Sequence, residues 1–365
     1  MTDTMFFTDV LTQDHTHNTD TKKSVRNITF DFIRGLAVFF MVFVHVLGVY
    51  ASYPVQDSVF GYVVDFLGSP PAAPVFMFSM GIFFVLSSKS DSLKDGVIRG
   101  LKLLALGSLL SFLRYDLLIL FENWIWGGES LDIATMTAIW EVDILQFAGC
   151  AYIFMSLIKR YLKKPVWWLI IAVVIMIISP YTWGISSENT VINWLLHFLW
   201  GAGEDVYFPI FGWLYYPLIG MIFGLCMKSC SSIKSLMQSS LKIGLILLAI
   251  GSAITVTNFD YHIGDYYKSG PGSMIWIMGF VLVWLWLCNI ITERAHNNKL
   301  VETISFWGRE TTSIYFIHWI ILMWGTLILG SESYGPIGTI LLTAMYIALS
   351  HGLTILYKKR KIAFQ

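Results

Sequence analysis

Long apolar runs alternate with short polar segments over most of the chain, from residue 28 to residue 358. Runs of about 17 to 25 mostly apolar residues are long enough to cross the hydrocarbon core of a membrane as α-helices. The pattern therefore predicts an all-α, polytopic integral membrane protein with about ten transmembrane helices. We place these helices near residues 30–51, 71–88, 98–120, 137–158, 166–184, 208–228, 242–258, 272–292, 310–330 and 336–357.

Basic residues gather at alternate ends of these segments. If the N-terminus is cytoplasmic, all but two of the 24 Lys and Arg residues lie at cytoplasmic helix ends, the exceptions being Arg114 and Lys268. This distribution follows the positive-inside rule. Both termini are therefore predicted to be cytoplasmic, which requires an even number of membrane-spanning helices.

Composition favours a single transmembrane domain. Hydrophobic residues form 56% of the chain and charged residues 13%, and the mean hydropathy is +0.66, more apolar than a soluble domain requires. We divide the chain into a flexible cytoplasmic tail (1–27), a transmembrane domain (28–358) and a basic cytoplasmic tail (359–365). The expected location is the plasma membrane, in contact with membrane lipids, and a bacterial source is expected; a homodimer is left open.

Charge and cysteine usage exclude several classes of function. The formal net charge is zero and the basic residues are confined to membrane edges, so we expect no nucleic-acid partner. The four cysteines lie in or beside predicted helices and lack the spacing of a disulfide framework or a zinc site. We therefore expect no structural metal and no disulfide.

Two polar residues stand out in the first apolar segment. Arg34 and His45 are eleven positions apart, which in an α-helix is about 1100° of rotation and about 16 Å of rise, so both lie on one face. With Arg34 at the water edge, His45 lies near the middle of a hydrocarbon layer about 30 Å thick. An ionisable residue at that depth normally faces a cavity or a partner, so we interpret His45 as functional.

The polar motifs resemble a known superfamily. Asp31 to Ala37 followed by His45 is similar to the opening helix of the acyltransferase-3 family, and four further motifs resemble those of transmembrane acyltransferases, including heparan-alpha-glucosaminide N-acetyltransferases. These motifs are Phe76–Gly81 with Leu86–Ser88, Val142–Gln146, Phe208–Trp213 with Gly220, and Trp307–Trp319. The resemblance covers nearly all of residues 28–330. It implies a transmembrane acyltransferase domain, acetyl-CoA as acyl donor and a carbohydrate or glycolipid acceptor.

One departure assigns the chemistry within that superfamily. The heparan-type enzymes have Asn at the position of His45 and a catalytic His in the following loop, whereas this chain has no histidine between residues 52 and 60. The resemblance therefore implies that His45 is the catalytic residue, as in the acyltransferase-3 branch. Imidazole can act as a general base or carry the acyl group briefly; we favour direct transfer with His45 as base, and an acyl-histidine intermediate stays open.

The donor would meet the arginines at cytoplasmic helix ends. CoA entering from the cytosol presents phosphates at the depth of Arg34, whose planar fork suits phosphate oxygens; the alternative is an interfacial anchor. Asp31, one turn earlier, can hold Arg34 by an ion pair or can be an ordinary acid at a helix N-terminus. Arg99 and Arg309 are further candidates for CoA binding, while Lys102 is better explained by topology alone.

The remaining candidates are polar or aromatic residues on other segments. Arg114 lies inside its span and needs a partner, for which Asp116 and Asp143 are the candidates, or it polarises the thioester carbonyl. Candidates for contact with the substrate are Asp143, Gln146, Tyr315, His318, Trp124 and Trp126. For His318 a hydrogen bond between helices is the commoner use, and most tryptophans belong to an interfacial belt.

The sequence thus predicts an acyltransferase that moves an acetyl or other acyl group from cytosolic acetyl-CoA to a carbohydrate at or across the membrane. O-acetylation is favoured over N-acetylation. A transporter or flippase for a lipid-linked saccharide or small metabolite is the main alternative, and a non-catalytic membrane subunit is a third.

Overall fold

The computed structural model describes residues 28–127, 141–201, 206–295 and 297–363. Helices make up 83% of the structure, and the described part of the chain has no β-strand. This confirms the all-α class. The predicted tail 1–27 and the last two residues lie outside the described residues.

The helices are numbered here in chain order. They are α1 (Ile28–Tyr50), α2 (Tyr53–Gln56), α3 (Val59–Gly68), α4 (Ala73–Leu86), α5 (Leu93–Ser111), α6 (Leu117–Trp126), α7 (Ile144–Tyr161), α8 (Pro165–Ile178), α9 (Thr190–Trp200), α10 (Ile210–Trp213), α11 (Tyr215–Ser229), α12 (Ile233–Thr255), α13 (Phe259–Ile263), α14 (Pro271–Arg294), α15 (Lys299–Arg309), α16 (Thr311–Leu329) and α17 (Pro336–Ala363). A π-helical turn, Phe112–Asp116, joins α5 to α6, and short 3₁₀ turns cover Ser88–Asp91 and Ser179–Tyr181.

Seven segments of the described chain are long and apolar enough to cross a membrane. They are Ile28–Tyr50, Val59–Leu86, Leu93–Trp126, Ile233–Thr255, Pro271–Arg294, Thr311–Leu329 and Pro336–Arg360. Each overlaps a predicted span, so the protein is a multi-pass membrane protein. The other three predicted spans overlap α7, α8 and α11, which have 18, 14 and 15 residues. The count of ten and the cytoplasmic termini stay predictions.

Contacts divide the chain into two compact units. The first unit contains residues 28–75, 108–141 and 290–365, and the second contains residues 76–107 and 142–289, each only as far as the structure describes them. Helix α1 is the centre of the first unit, because it packs against α3, α15, α16 and α17.

Glycines let helices approach closely in each unit. In the first unit, a Cβ on Gly35 of α1 would lie 1.8 Å from the carbonyl oxygen of Ile304, and a Cβ on Gly308 of α15 would lie 1.8 Å from that of Asp31. In the second unit, a Cβ on Gly81 of α4 would lie 2.0 Å from the carbonyl oxygen of Pro217. Small residues are the usual means of bringing transmembrane helices into backbone contact.

Candidate active site

The first unit brings His45 of α1 and His318 of α16 into direct contact. His45 Nδ1 lies 3.0 Å from His318 Nε2, and the two rings stack with centroids 5.3 Å apart and planes 9° apart. His318 is fully buried and His45 is partly buried. The sequence singled out both histidines, and the structure pairs them; we call this pair the histidine dyad.

The partner atoms determine which nitrogens of the dyad carry protons. His318 Nδ1 lies 3.1 Å from the carbonyl oxygen of Ile314, and a carbonyl oxygen only accepts, so this nitrogen donates. In the neutral ring His318 Nε2 is then the acceptor, and His45 Nδ1 must donate to it. This leaves the lone pair of His45 on Nε2, the nitrogen that a general base uses to take a proton.

Trp319 supports the dyad from one side. Its ring centroid lies 4.1 Å from that of His45, at an interplanar angle of 31°. The guanidinium carbon of Arg114 lies 4.4 Å from the same tryptophan ring, within the range of a cation–π contact. Trp319 ends the motif Trp307–Trp319, but the sequence did not predict a role for it. Its position next to His318 in the sequence could have indicated one.

Arg114 is held by a buried ion pair. Its Nη2 atom donates to Glu141 Oε2 at 2.6 Å, and Ser111 Oγ donates to the same oxygen at 3.3 Å. The arginine is 1% exposed and belongs to the π-helical turn, a form often found at functional positions. The sequence predicted Asp116 or Asp143 as the partner of Arg114, so the contact with Glu141 was missed.

Arg34 lies where α1 meets the start of α16. The helix α1 is continuous from Ile28 to Tyr50, so the eleven-residue spacing to His45 is helical as expected. Arg34 Nη2 donates to Thr311 Oγ1 at 3.2 Å, and Thr311 Oγ1 donates to the Gly308 carbonyl at 2.9 Å. The close contact of Gly35 with α15 fixes the backbone beside this arginine.

Three other predicted residues belong to the first unit near these groups in sequence or space. Tyr315 is 4% exposed, and its ring centroid lies 5.4 Å from that of His318. Asp31 is buried one turn before Arg34. Arg309 is exposed and directly follows Gly308. The structure therefore groups Tyr315 with the dyad, and Asp31 and Arg309 with the α1–α15 contact.

The exposed tryptophans are not brought to the dyad. Trp124 and Trp126 lie in the last turn of α6, each 79% exposed. The contact recorded for Trp124 is with Phe121, at 6.0 Å between centroids. Exposed tryptophans at the end of an apolar helix are typical of a membrane interface, so their predicted role in substrate binding stays a prediction.

The second unit contains the other three predicted residues. Asp143 caps α7 by accepting a hydrogen bond from the Ile144 backbone N–H at 2.6 Å. Gln146 is 2% exposed and lies against Gly107, where a Cβ would come within 2.8 Å of its Oε1 atom. Arg99 lies over the ring of Tyr152, 4.5 Å from its centroid. Asp143 and Arg99 have evident structural contacts, and their predicted roles stay untested.

The described residues contain no group of three or more His, Cys, Asp or Glu side chains arranged to hold a metal ion. The geometry offers a pair of imidazoles in which His45 Nε2 carries a lone pair. The ring of Trp319 packs against His45, and the guanidinium of Arg114 lies on that tryptophan.

The family comparison decides what kind of domain holds this dyad. A family model described as an acyltransferase domain, that of the acyltransferase-3 family, matches residues 27–358. The chain belongs to the acyltransferase-3 family. No curated protein gives a significant match to the chain.

Membership in the acyltransferase-3 family confirms the resemblance drawn from the sequence motifs. The matched range contains both histidines of the dyad, Arg34 and the ion pair of Arg114. It also covers the seven apolar segments of the described chain, apart from the last two residues of Pro336–Arg360, so the family domain is a membrane domain. The likeness to heparan-type enzymes stays a prediction from the motifs alone.

Proposed function

We propose that this protein transfers an acetyl group from cytosolic acetyl-CoA to a hydroxyl of a carbohydrate or glycolipid at or across the membrane. The family is one of membrane acyltransferases. The observation that carries the finer proposal is the hydrogen bond from His45 Nδ1 to His318 Nε2, because it directs the lone pair of His45 to Nε2. The membrane would be the plasma membrane of a bacterium.

The proposed reaction needs one base that later acts as an acid. His45 Nε2 takes the proton from the acceptor hydroxyl as its oxygen forms a bond to the acyl carbon. The carbon–sulfur bond breaks as the carbonyl re-forms, and the proton on His45 passes to the leaving sulfur. Atoms and charge balance without a further reactant. Hydroxyl transfer is favoured because a hydroxyl needs this proton removed before it becomes a good nucleophile.

His318 and Trp319 would act through His45. His318 accepts from His45 Nδ1 and is itself fixed by the Ile314 carbonyl, so it stabilises the positive charge that develops on His45. This is the role that a buried carboxylate has in a serine hydrolase triad. Trp319 limits rotation of the His45 ring, since the two rings are 4.1 Å apart.

The arginines would bind or polarise the donor. Arg34 is half-buried and presents a forked donor at the predicted cytoplasmic end of the helix that carries His45, and Arg309 is exposed at the same α1–α15 contact. A guanidinium can bind phosphate oxygens in a bidentate manner. Arg114 and Glu141 form a fixed ion pair whose guanidinium lies against Trp319, and this positive end of the pair would favour negative charge developing on an acyl oxygen.

The experiment follows a radioactive acetyl group. Purified protein is reconstituted into vesicles with a glycolipid and polysaccharide extract inside and outside, and acetyl-CoA labelled in the acetyl group is added. We expect label to become covalently attached to carbohydrate while free CoA accumulates in equal amount. If acetyl-CoA stays intact while an unmodified saccharide accumulates inside the vesicles, acyl transfer is overturned and the transporter alternative is identified.

A single turnover stopped by rapid denaturation at neutral pH, where an acyl-imidazole survives long enough to be counted, separates the two routes for the acyl group. Direct transfer predicts no label on the protein at any time, whereas an acyl-histidine intermediate predicts label on wild-type protein that is absent from the His45→Ala variant.

A further inference from the structure

A cavity in the second unit is separate from the residues of the dyad. It has a volume of about 250 Å³ and lies between the end of α4, the 3₁₀ turn Ser88–Asp91, the first turns of α5 and the middle of α7. Phe84 and Tyr152 form its aromatic wall, with ring centroids 5.8 Å apart at 70°. This cavity is called the α4–α5–α7 pocket below.

The pocket carries excess positive charge. Lys89, Arg99 and Lys102 line it, against one carboxylate, Asp95. Within the described residues none of these three cations has an ion pair, and Arg99 lies over the face of the Tyr152 ring. At the edge of the pocket Lys159 pairs with Asp91 at 2.7 Å and donates to Ser90, which lines the pocket, at 2.6 Å. The pocket therefore gathers three cations, against one lining carboxylate, that form no ion pair with the described part of the chain.

The position of the pocket limits what can reach it. It lies between the end of the apolar segment Val59–Leu86 and the beginning of the segment Leu93–Trp126, which places it at a membrane surface. Ile98 lines the pocket and Leu101 is adjacent in sequence, and these apolar side chains are 38% and 55% exposed. Basic pockets at such positions with apolar surroundings are typical sites for phosphorylated headgroups.

The volume of the pocket limits the size of the ligand that it can hold. Pockets for whole drug-sized ligands measure roughly 300–1,000 Å³, so a cavity of about 250 Å³ holds a phosphate and its immediate substituent rather than an entire nucleotide cofactor. Lysine and arginine side chains are the usual partners of phosphate oxygens.

We propose that the α4–α5–α7 pocket binds a phosphate ester through Lys89, Arg99 and Lys102. Two sources present that chemistry at this depth: the headgroup of an anionic phospholipid and the phosphate end of a soluble nucleotide such as the donor. The nucleotide source rests on the proposed function, whereas binding of a phospholipid headgroup is independent of acyl transfer, and both sources are tested by binding alone.

The test measures binding with two probes. Native mass spectrometry of the detergent-solubilised full chain compares phosphatidylglycerol with phosphatidylcholine, and thermal unfolding in phosphatidylcholine nanodiscs is followed with adenosine 3′,5′-bisphosphate. We expect preferential binding of one phosphate probe, and a Lys89→Ala/Lys102→Ala variant to bind that probe about 5-fold more weakly for each lysine removed. Lys94→Ala is the matched control, since Lys94 is exposed on α5, the helix that carries Lys102, and does not line the pocket.

The two probes separate the two sources. Preference for phosphatidylglycerol assigns the pocket to a lipid headgroup, and stabilisation by the soluble bisphosphate assigns it to a nucleotide. Equal binding of both lipids without any effect of the bisphosphate would overturn the proposal. Equal loss of affinity in the Lys94→Ala control would overturn it as well, because the effect would then be one of general surface charge.

Discussion

At the scale of single residues, the sequence could place Arg34 and His45 but not their partners. The period of an α-helix is enough to put two residues eleven apart on one face. The partner of His45 lies 273 positions away, and the partner of Arg34 lies 277 positions away. Contacts between such distant positions depend on how helices pack, which the apolar pattern does not encode. The orientation of the base therefore came only from the structure.

His318 should matter through the acceptor that it offers to His45. His318→Gln places an amide oxygen near the position of Nε2, so His45 Nδ1 can still donate, whereas His318→Leu removes the acceptor. We expect turnover to fall by about 10² or more in His318→Leu and to be largely retained in His318→Gln. The pH–rate profile should also change in both variants, because the group that accepts from His45 Nδ1 is a different one in His318→Gln and is missing in His318→Leu.

The pH profiles and the two substitutions together distinguish this role of His318 from a purely structural one. If His318 only filled space, Leu would serve at least as well as Gln, and the profiles of the active variants would superimpose on that of the wild type.

Arg34 discriminates donor binding from membrane anchoring. Arg34→Lys keeps the positive charge but loses the planar fork, so the affinity for acetyl-CoA should fall by about 1 to 3 kcal/mol if Arg34 binds phosphate. The measurement is a titration of acetyl-CoA into wild-type and variant proteins that have been checked for equal folding and insertion. Equal affinities would remove Arg34 from the donor site.

At the scale of helices, the motif glycines have a packing explanation that the sequence did not give. Gly35 and Gly308 belong to two of the motifs that resemble the acyltransferase-3 family, and in the structure they bring the backbones of α1 and α15 together. This contact lies beside Arg34 and therefore helps to set where that arginine lies. The sequence was enough to locate the helices. It did not show how closely their backbones approach, because that distance depends on which glycines face each other.

Gly35→Ala should destabilise the first unit. Its Cβ would lie 1.8 Å from the carbonyl oxygen of Ile304, so the helices must separate, at a cost of about 1 to 3 kcal/mol. Gly48→Ala is the matched control on the same helix, because nothing lies within 4 Å of its Cβ. Thermal unfolding in one detergent should show a lower Tm for Gly35→Ala alone; equal Tm values would contradict the close contact.

The connection between α12 and α14 should respond to acid. His262 is 5% exposed, and its Nδ1 atom accepts from the Gly272 backbone N–H at 3.1 Å, at the start of α14. Burial lowers the pKa of His262 from its ordinary value. The unfolded chain therefore binds more protons than the folded chain, so this histidine's contribution to stability is full above the ordinary pKa of about 6.5 and is lost as the pH falls through the lowered value.

His262→Asn tests this pH dependence, because its amide oxygen preserves an acceptor that does not titrate. We expect the Tm of the wild type to fall more steeply than that of His262→Asn between pH about 7.5 and about 5. Parallel curves would show that His262 contributes nothing to acid sensitivity.

At the scale of the whole molecule, hydropathy located the membrane domain but not its internal division. In the described chain all seven long apolar segments overlap a predicted span, but Val59–Leu86 begins twelve residues before the predicted 71–88 and Ile233–Thr255 begins nine residues before the predicted 242–258. The helices α8 and α11 are shorter than their apolar runs suggested, because residues 179–184 form a 3₁₀ turn and irregular backbone, and Pro209 and Gly212 interrupt the segment before α11. The two units also combine segments distant in sequence, which hydropathy cannot reveal.

The central claim is that His45 is the base for acyl transfer, and one measurement tests it most directly. Turnover of labelled acetyl-CoA is compared in wild type, His45→Ala and the control His351→Asn, which keeps an acceptor for the Trp307 indole N–H that now lies 3.1 Å from His351 Nδ1. We expect turnover to fall by a factor of about 10² to 10⁴ in His45→Ala while the affinity for acetyl-CoA is retained, and to stay near the wild-type value in His351→Asn. Wild-type turnover in a correctly folded His45→Ala protein would contradict it.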